Sequence, residues 1–216
     1  MKSCIIIGAG EFTPMDIPVE KGDFVIAADG GYLYCRKLQI EPDYIVGDMD
    51  SLPEEAVKEI KDFRERYPER VELLPRMKDD TDTMSAIRIG LARGFRRFRL
   101  YAMMGGRLEH TIANIQCLLF LKNRGADGCL LEKGRTVMVA KQETIRFPKE
   151  KEGFFSMFAL QQRAVGVTIR GMKYPLENAV ITDEFPIGIS NEFIGEAAEV
   201  TVSQGTLLLI LSDFSG

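Results

Sequence analysis

Short apolar-rich runs and amphipathic runs alternate along the first part of the chain. Cys4–Ile7 and Phe24–Ala28 are continuous apolar stretches, and shorter or less pure ones occupy residues 44–46, 71–74, 98–102 and 128–131. Runs of this kind predict strands covered on both faces, as in a parallel sheet between two layers of helix. The stretches between them predict helices over residues 32–38, 53–65, 82–92 and 107–122. Pro53 suits the first turn of its helix, with Ser51 as the cap. In the last helix Leu108, Ile112, Ile115 and Leu119 recur at spacings of four, three and four. That stripe is expected to face the core.

After about residue 133 the helical period disappears. Runs rich in Val, Ile, Phe and Thr follow at 136–140, 143–147, 154–160, 165–170, 178–182, 187–193, 198–203 and 206–211. Turn-bounded runs at such intervals predict an all-β domain. The expected fold is an α/β N-terminal domain with a mainly parallel six-stranded sheet, residues 1–132. An all-β, sandwich-like C-terminal domain, residues 133–216, is expected to follow.

Composition narrows the functional classes. Apolar residues make up 45% and charged residues 28% of the 216, which fits a folded globular chain rather than a disordered one. The net charge of −4 argues against broad electrostatic binding of nucleic acid. The longest uncharged run, residues 200–212, is too short to span a bilayer. No apolar stretch of signal-peptide length opens the chain. The four cysteines form no CxxC pair and there is one histidine, so neither a zinc site nor a disulfide framework is expected. The expectation is a reduced, cytoplasmic protein without membrane or nucleic-acid partners.

Open parallel sheets bind ligands outside the carboxyl ends of their strands, and here those ends are acidic. The second run ends in Asp29, the third in Asp48-Met49-Asp50-Ser51, and the fourth is followed by Lys78-Asp79-Asp80-Thr81-Asp82. Asp48 and Asp50, two residues apart in extended chain, point the same way. Such carboxylates repel one another unless a cation neutralises them. Oxygen donors without nearby His or Cys favour Mg²⁺, which bridges to substrate phosphates. Gly8-Ala9-Gly10 lacks the third glycine of a dinucleotide fingerprint, and no P-loop pattern occurs. Gly30-Gly31 and Gly105-Gly106 each precede a helix and offer backbone N–H groups to phosphate. Arg107, His110 and Asn114 form one polar stripe on the helix after Gly106. Together these parts describe a site for a Mg-nucleotide.

The same motifs resemble a known family. Ala28-Asp29-Gly30-Gly31, then Pro42 through Ser51 (PDYIVGDMDS), then Lys78 through Thr83 (KDDTDT), then Gly105 through Ile115 (GGRLEHTIANI), and finally Ser190-Asn191-Glu192-Phe193 look like the thiamine pyrophosphokinases, in family order. The resemblance implies transfer of pyrophosphate from ATP to the hydroxyl of thiamine, with Mg²⁺, in a homodimer. It implies that the β domain binds thiamine and dimerises. It implies that Asp29, Asp48, Asp50 and Asp82 hold Mg²⁺ and the triphosphate. Lys78 and Arg107 would contact phosphates, Thr81 and Asn114 would support the site, and Ser190 with Asn191 would hydrogen-bond the aminopyrimidine. Asp50 or Asp82 would take the hydroxyl proton. Two departures stand out. Animal members stack thiamine on a tryptophan, which this chain lacks, leaving an aliphatic wall or a phenylalanine such as Phe193 for that place. Glu109 stands where many bacterial members have Asp. Competing expectations are a phosphohydrolase of haloacid dehalogenase type built on Asp48-Met49-Asp50-Ser51-Leu52, a pyrophosphokinase for another alcohol, and a non-catalytic nucleotide-binding module.

Overall fold

A computed structural model describes residues 2–75 and 80–214. The chain divides into two compact units, Met1–Lys133 and Gly134–Gly216.

The first unit carries β1 (Cys4–Ile7), β2 (Phe24–Ala28), α1 (Gly31–Lys37), β3 (Tyr44–Gly47), α2 (Glu54–Arg66), β4 (Val71–Leu73), α3 (Asp82–Ala92), β5 (Arg97–Tyr101), α4 (Leu108–Lys122) and β6 (Asp127–Glu132). Its strands lie in the order β6-β5-β1-β2-β3-β4, and each neighbouring pair runs parallel. Cys4, Ile5, Ile6 and Ile7 are all 0% exposed, so central β1 is covered on both faces. That is why its sequence shows no polar alternation. One face packs Ile5, Ile7, Val25 and Ile45 against Ala56 and Ile60 of α2 and Cys35 of α1. Strand β4 is the edge, and beyond Val71 its side chains are exposed.

The second unit is built from β7 (Arg135–Lys141), β8 (Thr144–Phe147), β9 (Phe154–Ala159), β10 (Arg163–Arg170), β11 (Leu176–Thr182), β12 (Asn191–Glu192), β13 (Ala198–Thr201) and β14 (Thr206–Ser212). These strands pair antiparallel in two groups, β12-β9-β14-β7 and β11-β10-β13-β8. Leu207, Leu209 and Leu211 of β14, Phe155 and Met157 of β9, and Val167 and Ile169 of β10 share one core. The strands of the chain are therefore mixed, parallel in the first unit and antiparallel in a β-rich second unit.

Two local expectations need correction. Leu108 and Ile112 are exposed, and the buried residues of α4 are Asn114, Cys117, Leu118 and Leu121. The apolar period was real, but the covered face of α4 is rotated from the stripe that the spacing picked out. Ser51 does not cap α2: Pro53 holds the N-cap position with no side-chain cap. The Ser51 hydroxyl instead donates to Asp29 Oδ2 at 2.8 Å.

Candidate active site

Backbone geometry at the strand ends brings the acidic residues together. Asp29 follows β2 with φ +48°, and Met49 sits between Asp48 and Asp50 with φ +62°. Left-handed conformations are uncommon for residues other than glycine, and strain of this kind concentrates at functional sites. The Asp29 N–H donates to Val46 O at 2.8 Å, tying the end of β2 to β3. Gly47 allows the approach, because a Cβ there would lie 2.9 Å from Asp29 Cα. Asp48 Oδ1 accepts the N–H of Asp50 at 3.2 Å, the side-chain-to-backbone bond of an Asx turn.

Asp29, Asp48 and Asp50 thus converge. Each offers one carboxylate oxygen, and these oxygens all lie within 4.8 Å of one another. Asp29 and Asp48 are half-buried and Asp50 is exposed. Asp29 Oδ1 is buried and has no hydrogen-bond partner among the described residues. A buried anionic oxygen left without a donor is costly, and a hard divalent cation would satisfy it. The donor set, oxygen only, fits Mg²⁺. Among the described residues Asp82 is not part of this group.

A cavity of about 550 Å³ opens beside the trio in the first unit. Its walls include Asp29, Thr81, Asp82, Gly105, Gly106, Arg107, His110 and Asn114. Thr81 caps α3 by accepting the N–H of Met84 at 3.1 Å, which leaves Asp82 in the first helical turn. The buried amide of Asn114 donates to Met103 O at 2.7 Å, fixing the chain ahead of the double glycine. Arg107 is held by Glu109, Nε to Oε1 at 2.7 Å. The Glu109 backbone N–H and the Arg107 guanidinium together hold the Glu109 carboxyl below its ordinary range. Both side chains are exposed. An anion entering the cavity can therefore take Arg107 over at small cost.

Gly30 and Gly31 are not in the cavity wall. A Cβ on Gly31 would lie 1.9 Å from Ile7 O, so this glycine lets α1 touch β1. Lys78 lies outside the described residues. Ser190 belongs to the second unit, exposed and at φ +57°, with its N–H donating to Ser156 Oγ at 3.1 Å. Asn191 is buried. Its amide accepts from Tyr174 N–H at 2.9 Å and donates to Tyr174 O at 2.8 Å. Asn191 thus pins that segment and leaves Tyr174 exposed. Phe193 is buried among Phe147 and Phe155, ring centroids 5.3 and 6.3 Å away, so it is not an open stacking surface.

The cavity also enlists residues that the sequence reading passed over. Gly8-Ala9-Gly10, Glu11 and Tyr34 line it. The failed dinucleotide pattern hid the first loop, although its place at a strand's carboxyl end was a usable signal. Ser51, read as a helix cap, supports Asp29.

The family model "Thiamin pyrophosphokinase, catalytic domain" matches residues 18–129, and "Thiamin pyrophosphokinase, vitamin B1 binding domain" matches residues 142–207. A thiamine pyrophosphokinase of Bacillus subtilis (strain 168) is 26% identical over 188 residues, 87% of this chain and 86% of that protein. The crystal structure of thiamine pyrophosphokinase from Bacillus subtilis aligns at TM-score 0.85 and 24% identity, covering 99% of both chains. That of thiamin pyrophosphokinase from Geobacillus thermodenitrificans aligns at TM-score 0.81 and 25% identity, covering 99% of this chain and 98% of its own. None of these matches supports the phosphohydrolase alternative. With the catalytic-domain model spanning 18–129 and the B1-binding model following in order, the chain belongs to the thiamin pyrophosphokinase family.

Proposed function

We infer that the protein transfers the pyrophosphoryl group of ATP to the hydroxyl of thiamine, giving thiamine diphosphate and AMP. The observation that carries this is the succession of the two family matches. The first contains the converging aspartates and most of the cavity wall. The first unit, with its parallel strands, is assigned to ATP and catalysis. The antiparallel, sandwich-like second unit is assigned to thiamine.

Asp29, Asp48 and Asp50 would hold Mg²⁺, which when bound neutralises charge on the polyphosphate. The protein's own groups do the rest. Gly105 and Gly106 let the chain turn at the cavity wall, where their backbone can approach phosphate oxygens, and Arg107 adds a cation beside them. Asn114 keeps that turn in place through Met103. Such positioning converts attack of the thiamine hydroxyl on the β-phosphorus into an in-line, effectively unimolecular step. Asp82 lines the cavity at the start of α3 and is assigned to accept the hydroxyl proton, a contribution of about 10²–10⁴-fold. Asp50 belongs to the cation group instead.

We propose a homodimer, supported by the exposed apolar side chains Phe185, Ile187, Ile189 and Ile194 of the second unit. A cytoplasmic location is supported by four free cysteines. Among the described residues no helix is long and apolar enough to cross a membrane.

The test is AMP release from MgATP with and without thiamine, with thiamine diphosphate read by fluorescence after oxidation. AMP that depends on thiamine, with thiamine diphosphate formed in equal amount, is expected. Binding of MgATP without thiamine-dependent AMP would reject the acceptor.

A further inference from the structure

Among the described residues, three carboxylates line the cavity: Glu11, Asp29 and Asp82. Asp29 belongs to the cation group. Asp82 lies in the first turn of α3, where the helix dipole favours negative charge. Glu11 has neither reason to be there.

The placement of Glu11 is nonetheless built with care. Hydrogen bonding between the first and fifth strands continues past their ends. Gly8 N–H donates to Tyr101 O at 2.9 Å, Gly10 N–H to Ala102 O at 2.8 Å, and Glu11 N–H to Met104 O at 3.0 Å. The Tyr34 hydroxyl donates to Gly10 O at 2.8 Å from the other side. The Glu11 side chain then lies against Gly105. A Cβ on Gly105 would come within 2.7 Å of Glu11 Cβ and 2.8 Å of Glu11 Oε2. The absence of a side chain at 105 is what makes room for this carboxylate.

A carboxylate in a cavity for a polyanion raises the energy of the complex by like-charge repulsion. It does so unless it faces a part of the ligand that donates hydrogen bonds. In ATP the donors away from the phosphates are the ribose 2′- and 3′-hydroxyls and the adenine N6 amine, and of these only the hydroxyls stand on neighbouring atoms, where one carboxylate can accept from both at once. An acidic side chain reads ribose hydroxyls in dinucleotide-binding sites by the same chemistry. We infer that Glu11 accepts hydrogen bonds from the ribose hydroxyls of ATP and sets the preference for ribonucleotide over deoxynucleotide. The inference rests on the ATP reading above.

The experiment is isothermal titration of the full chain, without thiamine, with the magnesium complexes of ATP, 2′-deoxy-ATP and 3′-deoxy-ATP. Wild type is compared with Glu11→Ala and Glu11→Gln. Because Glu11 is exposed, both variants are expected to fold, and melting temperature checks this. Wild type is expected to bind ATP about 10-fold or more tighter than at least one deoxy analogue, as for a hydrogen bond to a charged group. Glu11→Ala should weaken ATP until the gap is about two-fold or less, leaving that analogue nearly unchanged, with Glu11→Gln in between. Equal binding of all three nucleotides by wild type would overturn the role of Glu11. So would loss of all three by one common factor in the variants. Either result would leave the ATP reading intact. Failure of folded wild type to bind any nucleotide would instead remove the ATP reading and this inference with it.

Discussion

Replacing Asp29 by asparagine removes one charge and almost no volume. Asparagine tolerates the left-handed backbone that residue 29 adopts, φ +48°, so the turn after β2 should survive. The amide oxygen can still accept from Ser51, which now donates to Asp29 Oδ2 at 2.8 Å. The amide NH₂ then occupies the place of Oδ1, the buried oxygen without a partner among the described residues. Without metal, wild type bears the repulsion of Asp29 and Asp48, whose oxygens lie within 4.8 Å. At an effective dielectric between surface and bulk water, that is about 1–3 kcal/mol for this half-buried pair. With metal, wild type gains about 2.7 kcal/mol when the cation is at 100 times its dissociation constant. For a chain of this size each kcal/mol moves the melting temperature by about 2–4 °C. EDTA-stripped wild type should therefore gain about 5–10 °C on saturation with MgCl₂ in a thermal-shift assay. Asp29→Asn should melt a few degrees above wild type without metal, show little shift with it, and lose about 100-fold or more in kcat. A variant that keeps the full magnesium shift, or that is less stable than wild type in EDTA, would refute the cation reading of the trio.

Three further outcomes are expected. Gly31→Ala should force α1 off β1, since its Cβ would stand 1.9 Å from Ile7 O; overpacking of this kind costs about 1–3 kcal/mol or more. Activity should fall further than stability alone explains, because Asp29 sits two residues upstream, and calorimetry beside kinetics would show it. Ser190→Ala should raise the KM for thiamine several-fold with the KM for ATP unmoved, and unchanged thiamine kinetics would take Ser190 out of the site. Asp23 contributes to acid stability: burial raises its pKa, but the N–H groups of Ser3 and Glu20 and the Arg99 guanidinium outweigh that and bring it below the ordinary 3.8. Its contribution is therefore complete above the unfolded value and fades as pH falls below 3.8 through the folded one. Asp23→Asn should lower stability at neutral pH and flatten that acid limb, as read by urea melts across pH.

Several features needed only the order of residues. Continuous apolar runs such as Cys4–Ile7 announced strands buried on both faces, because a strand with one wet face must alternate. The carboxylates of Asp29, Asp48 and Asp50 could be placed at one sheet edge from topology alone, since parallel strands deliver their ends to the same side. The family motifs carried the reaction. Tertiary structure decided which members of each set act together. Four aspartates looked alike in sequence; among the described residues Asp29, Asp48 and Asp50 converge, because the Gly47 approach and the left-handed turns draw together the ends of β2 and β3. The period of α4 was legible but not its phase. A helical period reports that one face is apolar, while neighbouring strands choose the face that is covered, here the one bearing Asn114, Cys117, Leu118 and Leu121. Phe193 could be offered as a stacking ring until its burial beside Phe147 and Phe155 was seen. That the Asn191 amide anchors Tyr174 is likewise a contact that spacing alone does not show. Residue type and spacing set what a side chain is able to do; contacts between residues distant in sequence set which of those abilities is used.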